Sequence, residues 1–583
     1  MKKILLVIVV FNHFITIGYS QFADFKWAKG IVSNENVSPS AVETDKEGNI
    51  FIAGEFSGKA DFDPGMNSFY LESFGYDDVF LQKLTSDGRL IWVRQIGENY
   101  NDVANDLTLD TLNNIYITGT FSRTVDFDPG EEVHELSTNG GNDIYIAKYD
   151  SAGNYKWAVA MGYDNASDEG TAITTDHKGN VLITGWFQGT VDFDPGEGVH
   201  NLTTTRVGCF ILKLTDEGEF IWAKNLNSNN SGMTEGHSIE TDDSSNVYVS
   251  GIFDDEADFN PGDDSKILQQ EGDYANAFLL KLNKNGDFRY AIRPGGWGNN
   301  SNLDKKRPFS IDNKGNITLA YDFNNAVDFD PGEEVHELTT NGIRNDIFIQ
   351  KIDSLGNLLW VKQIGGPDED SFGGFHTDEA GNSYITGYFT GTVDFDPGDD
   401  IYELSAGDDW NRALFVAQYS PEGDLIQAHP VNWTENDGSW PYGKGFDITT
   451  DLRGNILSVG QFSSSFDFNP NGVPAILTSS PNNFSGYVLK LGSTATASSI
   501  IEKNKMEIKV FPNPFHGKIT IFSKKGLKNA TVSVSSASGR ILKTYQIPEV
   551  TSFEIDMEKS PAGIYFLEVI QQNRQTVAKM VKP

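Results

Sequence analysis

Between residues 103 and 161, apolar and polar positions alternate in short runs broken by turn-forming residues. Val103 to Asp110, Asn114 to Phe121, Asp143 to Tyr149 and Tyr155 to Met161 each carry the period-two pattern of a half-buried strand. Ser-Ala-Gly-Asn between the last two is a hairpin signal. A segment of about 22 residues separates the second run from the third, and it holds Asp126-Phe-Asp-Pro-Gly130.

That five-residue core returns along the chain. It starts at Asp61, Asp126, Asp192, Asp328 and Asp394, with weaker copies at Asp258 (Asn260 for the second Asp) and Asp467 (Asn469 and Asn471). The spacings are 65, 66, 66, 70, 66 and 73 residues. Self-similarity at this period marks a repeat architecture. Four strands per unit and seven units predict an all-β fold: a seven-bladed beta-propeller, which disposes of sheet edges by radial repetition.

The fixed positions have packing explanations. Phe56, Phe121, Phe187, Phe253, Phe323, Phe389 and Phe462 stand six residues before the Phe of the repeat core, so two aromatics per unit fill the wedge between sheets. The Gly two residues earlier fits close backbone approach, and it is lost once, at Tyr321. Trp92, Trp157, Trp222 and Trp360 recur in the fourth strand, with Tyr290 and Gln427 in the divergent units, and their constant register favours packing over a sugar platform. The seventh unit lacks its fourth strand. Phe25-Lys-Trp-Ala-Lys-Gly30 matches Tyr155-Lys-Trp-Ala and precedes the first full unit, so an N-terminal strand is expected to close the propeller beside Gly486 to Leu491.

The string Asn142-Asp-Ile-Tyr-Ile-Ala-Lys-Tyr-Asp-Ser-Ala-Gly-Asn154, then Gly179-Asn-Val-Leu-Ile-Thr-Gly185 and Asp-Phe-Asp-Pro-Gly, resembles the SBBP-type beta-propeller repeat of exported bacterial proteins. The resemblance spans roughly residues 25 to 491 and implies a fold rather than an activity.

After a polar Ser/Thr/Ala-rich connection, Val510-Phe-Pro-Asn-Pro-Phe515, Gly517 to Ile521, Val532 to Ile541, Pro561 to Val569 and Lys579 to Lys582 alternate like the strands of a small beta-sandwich, immunoglobulin-like in kind. Pro-Asn-Pro, the Gly-Arg turn, Pro-Ala-Gly-Ile-Tyr and the basic tail resemble the type A C-terminal sorting domain of the type IX secretion system of Bacteroidetes. That resemblance implies the type IX machinery as a partner and delivery to the medium or the outer-membrane surface. The expected domains are a signal peptide at 1–20, the propeller at 21–491, a linker at 492–507 and the sorting domain at 508–583. Lys2 and Lys3, the apolar run Ile4 to Phe11 and the small residues before Gln21 carry the signal-peptide reading, and the apolar run is short of the roughly 20 residues a membrane span needs.

Composition sharpens the picture of partners. The net charge is −37. From Ile500 onward 13 basic residues face 7 acidic ones, about +6, which leaves 32 against 75, about −43, on the rest. Such a field repels phosphates, so nucleic acid is not an expected partner, whereas a cation, a glycan or a surface protein is compatible. The single cysteine, Cys209, falls in a core slot and rules out an internal disulfide framework. The protein reads as a monomer.

The candidate chemistry lies in the long segments and in the loops between units, which share one face. In an extended Asp-Phe-Asp the two carboxylates project together. The pairs Asp61 and Asp63, Asp126 and Asp128, Asp192 and Asp194, Asp328 and Asp330, and Asp394 and Asp396 suit a hard cation such as calcium. The alternative is that they only form turns. His134, His200 and His336 read as surface repeat residues. No cofactor motif, catalytic triad signature or phosphate loop is present, and no catalytic residue is assigned. The sequence thus points to an exported binding or adhesion module, with a polysaccharide-active glycosidase or lyase as the alternative. For the latter, residues 293–307 and 432–442 are the loops that break the repeat.

Overall fold

A computed structural model describes residues 24–492 apart from 66, 164–165, 229–231, 263, 273–274, 296–307, 399, 408–410 and 435–440, and residues 508–582 apart from 512–516, 537–540, 562 and 572–573. The signal segment, the linker and most of both repeat-breaking loops lie outside the described residues. Among those described, every element is a strand. The chain divides into two compact units, Met1–Thr494 and Ala495–Pro583.

In the second repeat, Val103–Leu109, Ile115–Asp126, Glu135–Tyr149 and Tyr155–Met161 pair in order as one antiparallel sheet. The same meander recurs over residues 37–96, 169–228, 234–292, 309–364 and 371–433. Each first turn is built by an Asp four residues before an Asn. Asp110 Oδ1 accepts from Asn114 N at 2.9 Å and its Oδ2 from Asn114 Nδ2 at 2.8 Å, and Asp45, Asp176, Asp242, Asp312, Asp378 and Asp451 do the same. The residue before that Asn lies in the left-handed region, which Gly fills five times and Asn113 and Ser245 once each.

Gly443–Thr450, Ile456–Phe462 and Ser485–Gly492 form the last sheet, and its fourth strand is Asp24–Ser33, paired antiparallel from Asp24↔Gly492 to Ile31↔Gly486. The first strands of the sheets lie against one another in chain order, and the seventh lies against the first. Links between neighbouring sheets repeat as well. Lys83 Nζ donates to Ser151 O at 3.2 Å and Lys148 Nζ to Asp216 O at 2.6 Å, and Lys490 Nζ in the last sheet donates to Ser86 O in the first at 3.1 Å.

Two expectations change. The long segment between the second and third strands is not a plain loop. It is a two-stranded ribbon, as in Lys59–Asp61 with Tyr70–Glu72 or Thr392–Asp394 with Glu403–Ser405. The two aromatics per unit are in fact three. Phe56 and Phe62 meet Phe80 from strand three at 6.5 and 5.0 Å, and Tyr145, Phe210, Phe278, Phe348, Phe415 and Tyr487 complete the other six clusters. Edge-to-face and tilted rings at these distances add to the burial of large apolar area. A Cβ on Gly54, Gly119, Gly185 or Gly251 would strike the carbonyl of the adjacent first strand, which accounts for the glycine there.

The C-terminal unit is a five-stranded antiparallel sheet of Ile508–Phe511, Lys518–Ser536, Ile541–Asp556, Gly563–Gln571 and Arg574–Lys582. Its strands are longer than the sequence pattern indicated, and Ile541 opens a strand rather than ending one. Lys518–Ser536 shifts register around Gly526, whose φ of 75° lets the strand bend. Ile519, Ile521, Val532, Val534, Leu567 and Val569 form its buried core. Lys582 Nζ donates to the carbonyls of Met557, Glu558 and Ser560 at 2.9, 2.8 and 2.7 Å, so this lysine of the basic tail closes a turn.

Candidate ligand-binding site

The repeat core is positioned by its own backbone. Asp126 Oδ1 accepts from Asp128 N at 3.0 Å and from His134 N at 2.8 Å, which closes an eight-residue loop, and Asp128 Oδ1 accepts from Gly130 N at 2.7 Å. The pairs Asp61 with Asp63, Asp192 with Asp194, Asp328 with Asp330 and Asp394 with Asp396 make the same bonds. So do Asp258 and Asn260, the latter accepting from Gly262 N at 2.9 Å. An amide oxygen serving as well as a carboxylate is what a turn needs. Phe127 between the two carboxylates is buried.

Among the described residues, Asp128, Glu132 and His134 are the set that brings three potential metal-ligating groups within 4.8 Å of one another, in an exposed place where His134 stacks on Tyr155 at 4.5 Å. The other nine calcium candidates gain no third ligand of this kind. Asp63, Asp194, Asp330 and Asp396 each spend Oδ1 on the glycine amide two residues on, and Asp61, Asp126, Asp192, Asp328 and Asp394 each spend theirs on two amides of the loop. In every copy these carboxylates accept, through Oδ1, from the backbone of their own turn, the role given above as the alternative to a cation pair.

The fourth-strand tryptophans pack. The position a Cβ would take on Gly153 lies 3.2 Å from Trp92, on Gly218 3.2 Å from Trp157 and on Gly88 3.2 Å from Trp27, so each indole covers the hairpin turn of the next unit. Trp157 Nε1 and Trp360 Nε1 donate to carbonyls of those turns at 3.1 and 3.2 Å. Cys209 is fully buried, which pushes its thiol up to about 12 and leaves it without nucleophilic character at neutral pH.

The repeat breaks instead at one end of the fifth to seventh sheets. The slot between the repeat Gly (Tyr321 in the fifth unit) and the Phe of strand two holds Glu55, Thr120, Trp186, Ile252, Asp322, Tyr388 and Gln461 in turn, and the residue before the strand-three partner of that Phe is Asp77, Asn142, Val207, Ala275, Asn345, Arg412 and Phe484. In the sixth unit these slots meet. The Arg412 guanidinium lies over Tyr388 at 4.4 Å and over Tyr442 at 5.2 Å, and Lys444 Nζ stands 5.4 Å from the Tyr388 ring. Glu369, from the loop entering the unit, accepts from Tyr388 Oη at 3.0 Å and lies 3.5 Å from Arg412 and 3.9 Å from Arg344. Burial holds the Tyr388 hydroxyl protonated, with Glu369 and Asp322 adding to the effect and Arg412 opposing it. Arg344 is half exposed and Arg412 about one-third exposed, at 50 and 32 % of their side chains. They are therefore open to a ligand while their aromatic and carboxylate partners fix their direction. In the third unit the same slot holds Trp186, whose Nε1 donates to Glu169 at 3.1 Å.

Sequence reasoning placed the repeat-breaking residues in the loops at 293–307 and 432–442. Of these Tyr442 joins the cluster, Arg293 is paired with Glu271 at 2.5 Å, and Trp433 Nε1 donates to Ala406 O at 3.3 Å. Arg344, Tyr388 and Arg412 were missed, while Glu369 lies in one of the loops between units that the sequence marked as candidates. A slot-by-slot alignment of the units finds Tyr388 and Arg412.

A family model for the secretion system C-terminal sorting domain matches residues 509–583, and one for a beta-propeller repeat matches residues 91–120. Among curated proteins, an uncharacterized WD repeat-containing protein of Acanthamoeba polyphaga mimivirus is 22% identical, covering 81% of this chain and 39% of its own length. The regulatory protein FlaEY of Caulobacter vibrioides is 23% identical over 27% of this chain and 16% of its own length. The chain thus spans well under half the length of either relative. Solved structures include a protein of unknown function from Bacteroides caccae (11% identity, 60% of this chain and 86% of that one, TM-score 0.22) and PorZ of Porphyromonas gingivalis, a surface component of the type-IX secretion system (10% identity, 95% and 100%, TM-score 0.16). Scores this low carry no argument. No helix among the described residues is long and apolar enough to cross a membrane. The chain carries the SBBP-type beta-propeller repeat and ends in a secretion system C-terminal sorting domain, the tail that marks cargo for type IX export to the cell surface or beyond.

Proposed function

We propose that the protein is an exported binding module. In this reading residues 1–20 are a cleaved leader, the seven sheets are the blades of one propeller closed by Asp24–Ser33, and the C-terminal unit directs export. Its ligand site is the Arg344, Glu369, Tyr388, Arg412, Lys444 cluster, and its ligand is a carboxylate-bearing glycan. One observation carries this reading: three cations and two aromatic rings from three consecutive units converge in a region whose net charge is about −43. A planar guanidinium held over a ring presents its fork to a carboxylate. Screening the propeller against acidic and neutral oligosaccharides tests it. Acidic glycans should be retained and lost in Arg412→Ala. Retention of neutral glycans alone, or none at all, refutes the assignment. A polysaccharide-active enzyme is the second reading, and chain shortening in the same assay would reveal it.

A further inference from the structure

Three junctions between consecutive units bury a pair of aspartates. Asp78 and Asp346 open the third strands of the first and fifth units, Asp143 holds the same register in the third strand of the second, and Asp102, Asp168 and Asp370 enter the units that follow. All six are buried, at 0 to 1 % exposure. Asp102 and Asp168 each tie two loops together, Asp102 accepting from Glu98 N at 2.9 Å and Ser122 N at 3.0 Å, and Asp168 from Tyr163 N at 2.8 Å and Gln188 N at 2.7 Å. Asp370 does the same with Gly366 N and Thr390 N. On the other member, Oδ2 is satisfied: in Asp78 by Phe74 N and Gln95 Nε2, in Asp346 by Asn341 N and Gln363 Nε2. Oδ1 of Asp78 and Oδ1 of Asp346 are buried without a hydrogen-bond partner.

The pairs follow a rule across the repeats. The same two slots hold Gly208 with Thr234, Ala413 with Gly443 and Ser485 with Val37 at the other junctions where both are described, so both aspartates are present or neither is. A glycine accompanies each pair. Gly97, Gly162 and Gly365 end the preceding fourth strands, and a Cβ there would collide with the carboxyl group of Asp78, Asp143 or Asp346. The slot becomes Asn227, Asn432 and Val32 where the pair is missing.

Two adjoining carboxylates out of water, with no cation paired to Asp78, Asp102, Asp168, Asp346 or Asp370 among the described residues, cannot both stay ionised without a large penalty. We propose that each pair holds one proton, shared as a carboxyl–carboxylate hydrogen bond through Oδ1 of the strand-three aspartate, so that three of the junctions between sheets are latched in acid and strained in alkali. The groups facing the pairs reinforce this: Glu98 and Asp77 act on Asp78, Glu98 on Asp102, and Asp322 on Asp370, all acidic. Burial raises Asp78, Asp168 and Asp346 to about 6 and Asp102 to about 7, and lifts Asp370 well above the carboxylate range, the partner aspartate adding to the rise in Asp102, Asp168 and Asp370. A carboxyl whose folded value is raised gives stability that is full below about 4 and is lost as pH climbs through 6 to 7.

The test is thermal melting of the secreted chain from pH 5 to pH 8, compared with Asp78→Asn and Asp346→Asn, whose amide reproduces the protonated carboxyl. The variant-minus-wild-type difference cancels His429 and other groups that titrate in the same window. It should be near zero at pH 5 and a rise in melting temperature at pH 8, doubling in the double variant because the sites are distant. Equal destabilisation at both pH values, or a rise in wild-type melting temperature on adding millimolar calcium at pH 8 that Asp78→Asn abolishes, overturns it. The protonated-carboxyl infrared band of the wild type gives a reading that needs no variant: its loss between pH 5 and pH 8 is expected, and its absence at pH 5 refutes the shared proton.

Discussion

If the N-terminal strand closes the ring, Trp27 should carry the same weight as an internal tryptophan, and the repeat supplies the control. Trp27 and Trp157 are both half-buried, and both lie 3.2 Å from the Cβ position of the next unit's turn glycine, Gly88 and Gly218. Truncating a fully buried Trp to Ala costs about 3–5 kcal/mol, and half-burial scales this to about 2 kcal/mol for each. Trp157 adds one hydrogen bond, to Asp216 O at 3.1 Å, so Trp157→Ala should cost up to about 1 kcal/mol more. An unfolding entropy of about 2 cal/mol/K per residue over some 470 residues makes 2 kcal/mol only about 2 °C in Tm. The assay is therefore the urea midpoint of the propeller, followed by tryptophan fluorescence in both variants. Matching shifts, within about 1 kcal/mol, are expected. A Trp27→Ala midpoint equal to wild type, beside a shifted Trp157→Ala, would show that Asp24–Ser33 is peripheral and the ring closes otherwise.

Lys490 and Asp451 form a pair at 2.9 Å with side chains 5 and 4 % exposed, and Lys490→Ala should destabilise by about 3–5 kcal/mol in chemical denaturation because the carboxylate is left buried. Its hydrogen bonds and Lys490 hold Asp451 below the usual carboxylate range, so that contribution is present at neutral pH and lost as pH falls below about 4, which an acid titration of wild type against Lys490→Ala reads. Calcium titrated calorimetrically into the chelated propeller should give no heat if the Asp-Phe-Asp carboxylates serve their turns alone, and a heat abolished by Asp128→Asn would show that they also hold the cation. Deleting residues 500–583 should leave a folded propeller that a type IX-competent host retains in its periplasm, whereas normal yield in the medium would sink the export assignment. Cys209 should resist thiol reagents until the chain unfolds, and stoichiometric labelling of the native protein would contradict its burial.

The strands were legible because period-two alternation survives wherever one sheet face differs from the other. Val103–Leu109 and Tyr155–Met161 sit within a residue of their expected places. The third aromatic was hidden because Asp78–Leu84 is buried throughout, so Val79 and Leu81 on either side of Phe80 are apolar too and no alternation marks its face. The ribbons were hidden for the opposite reason: Tyr70–Glu72 and Glu337–Thr339 are three residues long and largely exposed, and backbone pairing alone makes them strands.

The ligand site and the aspartate pairs were illegible for a different cause, and it bears on how such a chain acquires function. Residues 344, 369, 388, 412 and 444 lie up to 100 positions apart, and the partners Asp78 and Asp102 lie 24 apart, so no local motif holds them. In a repeat fold each slot is sampled seven times with the packing already solved by the other copies, and a departure such as Arg412 for Asn142 leaves the sheet intact. Positions that keep the repeat therefore report the fold, while positions that leave it together, as Tyr388 does with Arg412 or Asp346 with Asp370 and Gly365, report a constraint the fold alone does not impose. Arg412→Asn, which restores the second unit's residue, should for that reason leave the urea midpoint within about 0.5 kcal/mol of wild type while acidic-glycan retention is lost. An Arg412→Asn protein that unfolds early would make Arg412 a packing residue and remove the main support for the ligand site.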